Sequence, residues 1–191
     1  MKDSTAAAGL KARGKELEDS FFARENARLL TKLREEAAKE EKRKEFRAAL
    51  NVANVQLLDA LIALGVAPET LVALSLVPLV EMAWADGSIQ DRERGAILKA
   101  AEERGVAVGS PTHDLLENWL KTKPGSELLD VWVKYVGELK SSLDASAFEQ
   151  LKEAALGRAR AVAEAAGGFL GVGSISAAEK SMLEKLEWAF D

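Results

Sequence analysis

The chain has 191 residues, no cysteine and a formal net charge of −5. Without cysteine it has neither a disulfide framework nor a thiolate metal site, and its acidic balance gives no general attraction to nucleic acid. No stretch is long and apolar enough for a membrane span or a signal peptide, so we expect a cytoplasmic protein that neither spans a membrane nor binds nucleic acid.

The first 48 residues are predicted to form a tail and a charged helix. Residues 1–14 are small and polar, which predicts a flexible tail. Residues 15–48 contain neither glycine nor proline, and apolar residues recur there at a spacing of four, which predicts a long amphipathic helical arm. The arm is either a solvated helix held by pairs of opposite charge or a surface for a protein partner or a second copy. The residues that would make this contact are Phe21, Phe22, Leu29 and Leu33.

Residues 49–191 are predicted to form one compact helical domain. Apolar density rises from Phe46 to Leu64, which predicts a buried helix that Gly65 ends. Pro68 then begins a helix that reaches about Ala85. Further helices are predicted at 91–104, 110–123, 127–140, 144–166 and 176–190. No segment alternates as a strand does, so the fold class is all-α. The tryptophans predicted to lie in the core are Trp84, Trp119, Trp132 and Trp188.

One turn between two of these helices recurs along the chain. The stretches 84–93 and 170–179 both contain Gly-Ser-Ile and a glutamate six residues after the glycine. This recurrence predicts an internal helix–turn–helix repeat. Asp86 is not repeated, because Val172 holds its place, so the chemistry of the two turns is asymmetric. The isoleucines predicted to be buried at the two turns are Ile89 and Ile175.

The first turn matches the second half of an EF-hand calcium loop, with Asp86, Gly87 and Glu93 in the expected order. The first half of the loop contradicts this match. Met82 and Trp84 occupy its first two ligand positions and offer no oxygen to a calcium ion. An EF-hand is therefore excluded.

The pattern instead resembles the tellurite-resistance TerB-like family. In these all-helical domains an apolar helix ends in Ala-Asp-Gly, and a hydrophobic residue and a glutamate at a helix start follow. The matching residues are Ala85, Asp86, Gly87, Ile89 and Glu93, and in the second copy Gly173, Ile175 and Glu179. The resemblance covers about residues 67–191 and implies a compact multi-helix domain, a link to stress response and an acidic site for a divalent metal. The chain departs from the pattern at Val172, and a two-sided acidic site is therefore in doubt.

Two interpretations of the turn residues remain open. In the first, a divalent cation (calcium, magnesium or manganese) binds Asp86 and Glu93, with Asp91 and Glu81 as further carboxylates nearby. In the second, these residues only shape the backbone. Ser176 and Glu179 form a capping box, Glu93 has the same role with Gln90 as a poorer cap, and Asp86 and Gly87 make a turn.

These features favour a protein that binds rather than catalyses. His113 is the only histidine, and no general base with an orienting partner can be named, so we do not expect an enzyme. The leading hypothesis is a non-enzymatic cytoplasmic binding module of the TerB-like type. The alternative is a structural adaptor whose N-terminal helix recruits a protein partner and whose acidic turns serve only as helix caps.

Overall fold

The computed structural model describes the backbone of residues 3–167 and 175–191, and the side chains of residues 21, 24–164 and 175–191. All regular structure in these ranges is helical, which confirms the all-α prediction. The elements are α1 (Asp3–Leu50), α2 (Val55–Ala63), a 3₁₀ helix (Pro68–Leu76), α3 (Val77–Ala83), α4 (Asp91–Glu102), α5 (Pro111–Lys121), α6 (Glu127–Ser142), α7 (Ala145–Gly167) and α8 (Ala177–Trp188). Internal contacts divide the chain into two units, Met1–Lys44 and Glu45–Asp191.

The regular structure of the first unit is the part of α1 up to Lys44, and the last turns of α1 belong to the second unit. The helix begins at Asp3, inside the stretch 1–14 that was predicted as a flexible tail. Ion pairs of the i,i+3 type run along it, such as the one between Lys44 Nζ and Glu41 Oε1 at 2.7 Å. Its exposed apolar side chains are Phe21, Leu29, Leu30 and Leu33, whereas the side chain of Phe22 lies outside the described residues. The arm therefore carries both predicted features, paired charges and an exposed apolar stripe.

The second unit begins with a break that the sequence analysis missed. The predicted continuous helix from Phe46 to Leu64 is wrong, because α1 ends at Leu50 and α2 begins only at Val55. Asn51 has a φ of 53°, in the left-handed region that asparagine tolerates better than most residues. Asn54 then caps α2 by accepting a hydrogen bond from the Leu57 amide at 3.1 Å. Two asparagines thus end one helix and begin the next.

The centre of the second unit is α3, which packs against α4, α6, α7 and α8. Six of its seven residues are buried. The predicted helix from Pro68 to Ala85 is divided, because a 3₁₀ helix precedes α3 and Pro78 stands in the first turn of α3, where its missing N–H is not needed. The C-terminal end of α3 leads directly into the first of the two turns, at residues 84–93.

The most apolar segments of the chain pack inside this core. Leu57, Leu58 and Leu61 of α2 are fully buried. Among the described residues no single helix is long and apolar enough to cross a membrane. The segments Val55–Ala63 and Pro68–Ala83 reach the required length and composition only as a pair bent by 86°.

Aromatic side chains join α8 to α6 and α7. The ring of Phe190 lies edge-on to Trp132, with 5.6 Å between centroids, and is tilted against Phe148 at the same distance. Trp119 and Trp132 are buried and Trp84 is half-buried, but Trp188 is 77% exposed. The prediction that Trp188 belongs to the core is therefore wrong. It lies on the outer face of α8, while Leu186 and Phe190 face inward.

Candidate functional site

The first turn follows directly from the end of α3. The Gly87 amide donates to the Trp84 carbonyl at 2.9 Å, and Gly87 has a φ of 86°. A Cβ at Gly87 would meet nothing within 4 Å, so the left-handed backbone, rather than lack of space, requires glycine here. Trp84 Nε1 donates to the Trp119 carbonyl at 2.8 Å and so anchors the end of α3 to α5. The first turn is therefore anchored to α5, and Asp86 is exposed on this turn.

Glu93 caps the helix that leaves this turn. Its Oε2 accepts a hydrogen bond from the Gln90 amide at 2.6 Å, at the start of α4. The carboxylate is only 4% exposed. The predicted capping role of Glu93 is confirmed, and it places a buried charge beside the turn.

The second copy repeats this arrangement more completely. The Ser176 amide donates to Glu179 Oε2 at 2.6 Å, and the Glu179 amide donates to Ser176 Oγ at 3.1 Å. The predicted capping box is confirmed, and Glu179 is also only 4% exposed. Val172 and Gly173, on which the repeat prediction partly rests, lie outside the described residues.

The first turn meets the start of α8 in space. Ser176 Oγ donates a hydrogen bond to Asp86 Oδ1 at 2.9 Å, across 90 residues of sequence. Burial raises the pKa of the Glu93 carboxyl; the hydrogen bond from Gln90 opposes this rise, and the nearby charges of Glu179 and Asp86 add to it. Asp86 and Glu179 therefore lie close enough to Glu93 for their negative charges to act on its carboxylate.

Glu179 and Ser176 were not among the metal ligands predicted from the sequence. The signal for them was the repeat itself, because two copies of a helix–turn–helix that pack as a pair bring equivalent positions together. Burial was predicted for the isoleucines of the two turns, Ile89 and Ile175, and both are half-buried and pack against the core. They connect each turn to the helices beneath it.

The other two predicted ligands have different surroundings. Burial raises the pKa of the Glu81 carboxyl, and Lys123 and Lys185 oppose this rise. Two ammonium groups therefore already face Glu81, on the side of α3 next to α8. Asp91 is exposed in the first turn of α4, where its charge suits the helix dipole.

The carboxylates of the turns are close enough to repel one another but do not converge on a common point. Within the described ranges no three His, Asp or Glu side chains are grouped so that they could hold a metal ion. One oxygen of Glu93 and one of Glu179 is directed at a backbone amide, and Asp86 is held by Ser176. The cluster is therefore a cap-and-turn network with negative charge that no described cation offsets by an ion pair.

A separate groove of about 690 Å³ lies between α6 and α8. Its walls combine apolar and charged side chains: Leu129, Asp130, Val133, Lys134, Ser181, Glu184, Lys185 and Trp188. Helical periodicity had placed Trp188 in the core, so this surface was not predicted from the sequence.

Comparison of the chain with protein-family models, with curated proteins and with solved structures gave no match. The resemblance to TerB-like domains therefore stays a prediction.

Proposed function

We propose that the second unit is a non-enzymatic binding module and that its paired turns take a divalent cation, as the TerB-like resemblance implies. The observation that carries the proposal is the hydrogen bond from Ser176 to Asp86, which unites the two turns and places Asp86, Glu93 and Glu179 in one electrostatic cluster. A link to stress response rests on the resemblance alone.

A divalent cation would relieve the repulsion within this cluster. Each buried glutamate uses one oxygen for its cap, and carboxylates have further lone pairs available on the second oxygen. Asp86 is exposed, so it can leave Ser176 and turn toward an ion with little loss of packing. Calcium, magnesium and manganese all prefer such oxygen ligands. With so few carboxylates the ion would retain water and bind weakly, with a Kd on the order of 10⁻⁴ to 10⁻³ M.

The non-enzymatic part of the proposal rests on the histidine. His113 Nδ1 lies 3.9 Å from Asp114 Oδ1, which is beyond hydrogen-bond distance. Among the described side chains, therefore, no carboxylate orients this imidazole as a general base, and a base with an orienting partner is the arrangement that hydrolytic chemistry most often needs.

Calorimetric titration with calcium, magnesium and manganese tests the proposal. We expect wild type to bind one ion, and Asp86→Asn, Glu93→Gln and Glu179→Gln each to weaken binding about tenfold. These substitutions keep an oxygen for the turn and cap hydrogen bonds while removing the charge. Asp114→Asn is the matched control, since Asp114 is an exposed helix-start carboxylate on α5 outside the cluster.

Absence of saturable heat from wild type would contradict the cation site. The same conclusion would follow if Asp114→Asn weakened binding as much as the cluster variants do, because the ion would then respond only to net charge.

A second candidate function is the structural adaptor, and the exposed apolar stripe of α1 favours it. Leu30 is 53% and Leu33 66% exposed, although burial of such side chains contributes about 1.5–3 kcal/mol each. A helix that leaves this contribution unused offers an anchor pattern suited to another helix. A second copy of the arm is its simplest partner.

Sedimentation analysis of the full chain distinguishes the adaptor. Wild type should self-associate as its concentration rises, and the double variant Leu29→Glu, Leu33→Glu should not. Lys32→Glu is the control, because it changes net charge by the same amount at an exposed position between the two leucines. A wild-type chain that stays monomeric throughout would refute self-association through the arm.

A further inference from the structure

Two arginines lie side by side within the second unit, away from the paired turns. Arg104 follows the end of α4, and its Nη1 donates to Ser75 Oγ at 2.6 Å. Burial lowers the pKa of Arg158, on α7, and the charge of Arg104 lowers it further. Burial also lowers the pKa of Arg104. Ser75, which holds Arg104, lines the same cavity as Arg158, so the two arginines lie at neighbouring positions and both are partly shielded from water.

This pair lacks the partners that buried cations normally have. Arg158 Nε is buried and has no hydrogen-bond partner among the described residues. Within the same ranges no carboxylate lies within 4.0 Å of a nitrogen of either arginine. Buried polar groups are nearly always satisfied, so a further hydrogen-bond acceptor beside this nitrogen would be stabilising. Ser75 Oγ accepts its hydrogen bond from Arg104 and makes none with Arg158 Nε.

Arg158, which carries the orphan atom, is one of the residues that line a cavity of about 60 Å³. Ser75 and Arg158 form its polar part. The remainder is apolar and aromatic, with Pro78, Trp132, Tyr135 and Phe190 among the lining residues. This volume exceeds the room that a single water needs, yet it is far below the 300–1,000 Å³ typical of pockets for drug-sized ligands. The shape therefore selects a small molecule with one charged end and a short apolar end.

We propose that this cavity binds a small aliphatic monocarboxylate, with its carboxylate on Arg158 and Arg104 and its tail against the aromatic wall. Guanidinium groups match carboxylates in geometry, and such charge-assisted hydrogen bonds are among the strongest that proteins form. An inorganic anion would satisfy the arginines but leave the apolar wall uncovered. An alcohol of the same length would do the reverse. The proposal does not depend on the cation site at the turns.

Nitrogen–proton NMR spectra of the full-length protein test this inference at the orphan atom itself. The arginine Nε–H signal of Arg158 is identified by its loss in Arg158→Lys. At constant ionic strength we expect butanoate to shift this signal saturably, while butanol leaves it in place and phosphate shifts it at least about tenfold more weakly. Arg104→Gln should weaken butanoate binding about tenfold, in keeping with the loss of one charge-assisted contact.

Arg160→Gln is the matched control, because Arg160 is an exposed arginine one position beyond Ala159 on the same helix. It should bind butanoate as wild type does, and melting temperatures of all variants verify that they are folded. Lack of a saturable shift with butanoate would overturn the proposal and assign the orphan atom to water. Equal shifts with phosphate would overturn the role of the apolar wall, and equal shifts with butanol would overturn the role of the arginines.

Discussion

Ser176 is the residue through which the two turns are joined. Its hydroxyl accepts a hydrogen bond from the Glu179 amide and donates one to Asp86, so a single side chain both begins α8 and connects it to the end of α3. Ser110 has the first role without the second, since it accepts from the His113 amide and caps α5. Substitution of each serine in turn therefore separates the stability that comes from the hydrogen bond to Asp86 from the stability that comes from the helix cap.

We expect Ser176→Ala to lower the free energy of unfolding by about 2 kcal/mol and Ser110→Ala by about 1 kcal/mol. Loss of a serine cap typically costs about 1 kcal/mol, and the bond to a charged acceptor adds to it at Ser176. Urea denaturation measures both values. Equal losses would mean that the bond to Asp86 contributes nothing to stability.

Glu93 gives the cluster a defined dependence on pH. Its folded-state pKa is raised above its ordinary value of 4.5, chiefly by burial, so the folded protein holds this proton more tightly than the unfolded chain does. The resulting stabilisation is present below pH 4.5 and is lost as the pH rises through the folded-state pKa.

The stability of wild type relative to Glu93→Gln should therefore fall as the pH rises above about 4.5. Glutamine keeps an acceptor for the Gln90 amide but has no charge to repel Glu179 and Asp86. Urea denaturation between pH 4 and pH 8 measures the difference, and Glu153→Gln, at an exposed position of α7, controls for the loss of one charge. A difference that stays constant, or that rises with pH, would contradict the assigned shift.

At the scale of elements, the sequence predicted most of the helices from Pro111 onward because proline, serine and glycine mark their ends. The region before Pro68 was predicted less well. Asn51 and Asn54 are weaker signals than glycine or proline, and the run of apolar residues across them looked continuous. The division of Pro68–Ala83 into a 3₁₀ helix and α3 depends on packing, which periodicity alone does not report.

Removal of the arm should affect the stability of the second unit much less than substitution of a buried residue at the start of that unit. Phe46 is fully buried, whereas the apolar side chains described in residues 21–44 are exposed. A chain that begins at Lys44 should melt cooperatively within about 4 °C of the full chain, a shift equivalent to about 1 kcal/mol at this size. Phe46→Ala should instead cost about 3–5 kcal/mol. Calorimetry of both proteins measures the contrast, and an insoluble truncated chain would show that the arm belongs to the core.

At the scale of the whole molecule, the sequence predicted two equivalent turns but did not predict that residues of the two turns are in contact. The recurrence of Gly-Ser-Ile and glutamate identified two equivalent turns, yet only the packing of α3 against α8 brings Asp86 to Ser176 and Glu93 toward Glu179. The arginine pair had no signal at all. Ser75, Arg104 and Arg158 are far apart in sequence, belong to no motif and are brought together only by the fold.

The joint action of the two turns can be tested most directly with a paramagnetic ion. Manganese broadens the NMR signals of nearby amide protons, and the Gln90 and Ser176 amides each donate to one of the buried glutamates. We predict that substoichiometric manganese broadens both amide signals in parallel and spares the amide of exposed Asp114. Broadening confined to one turn, or spread equally over exposed acidic positions, would contradict a shared cation site.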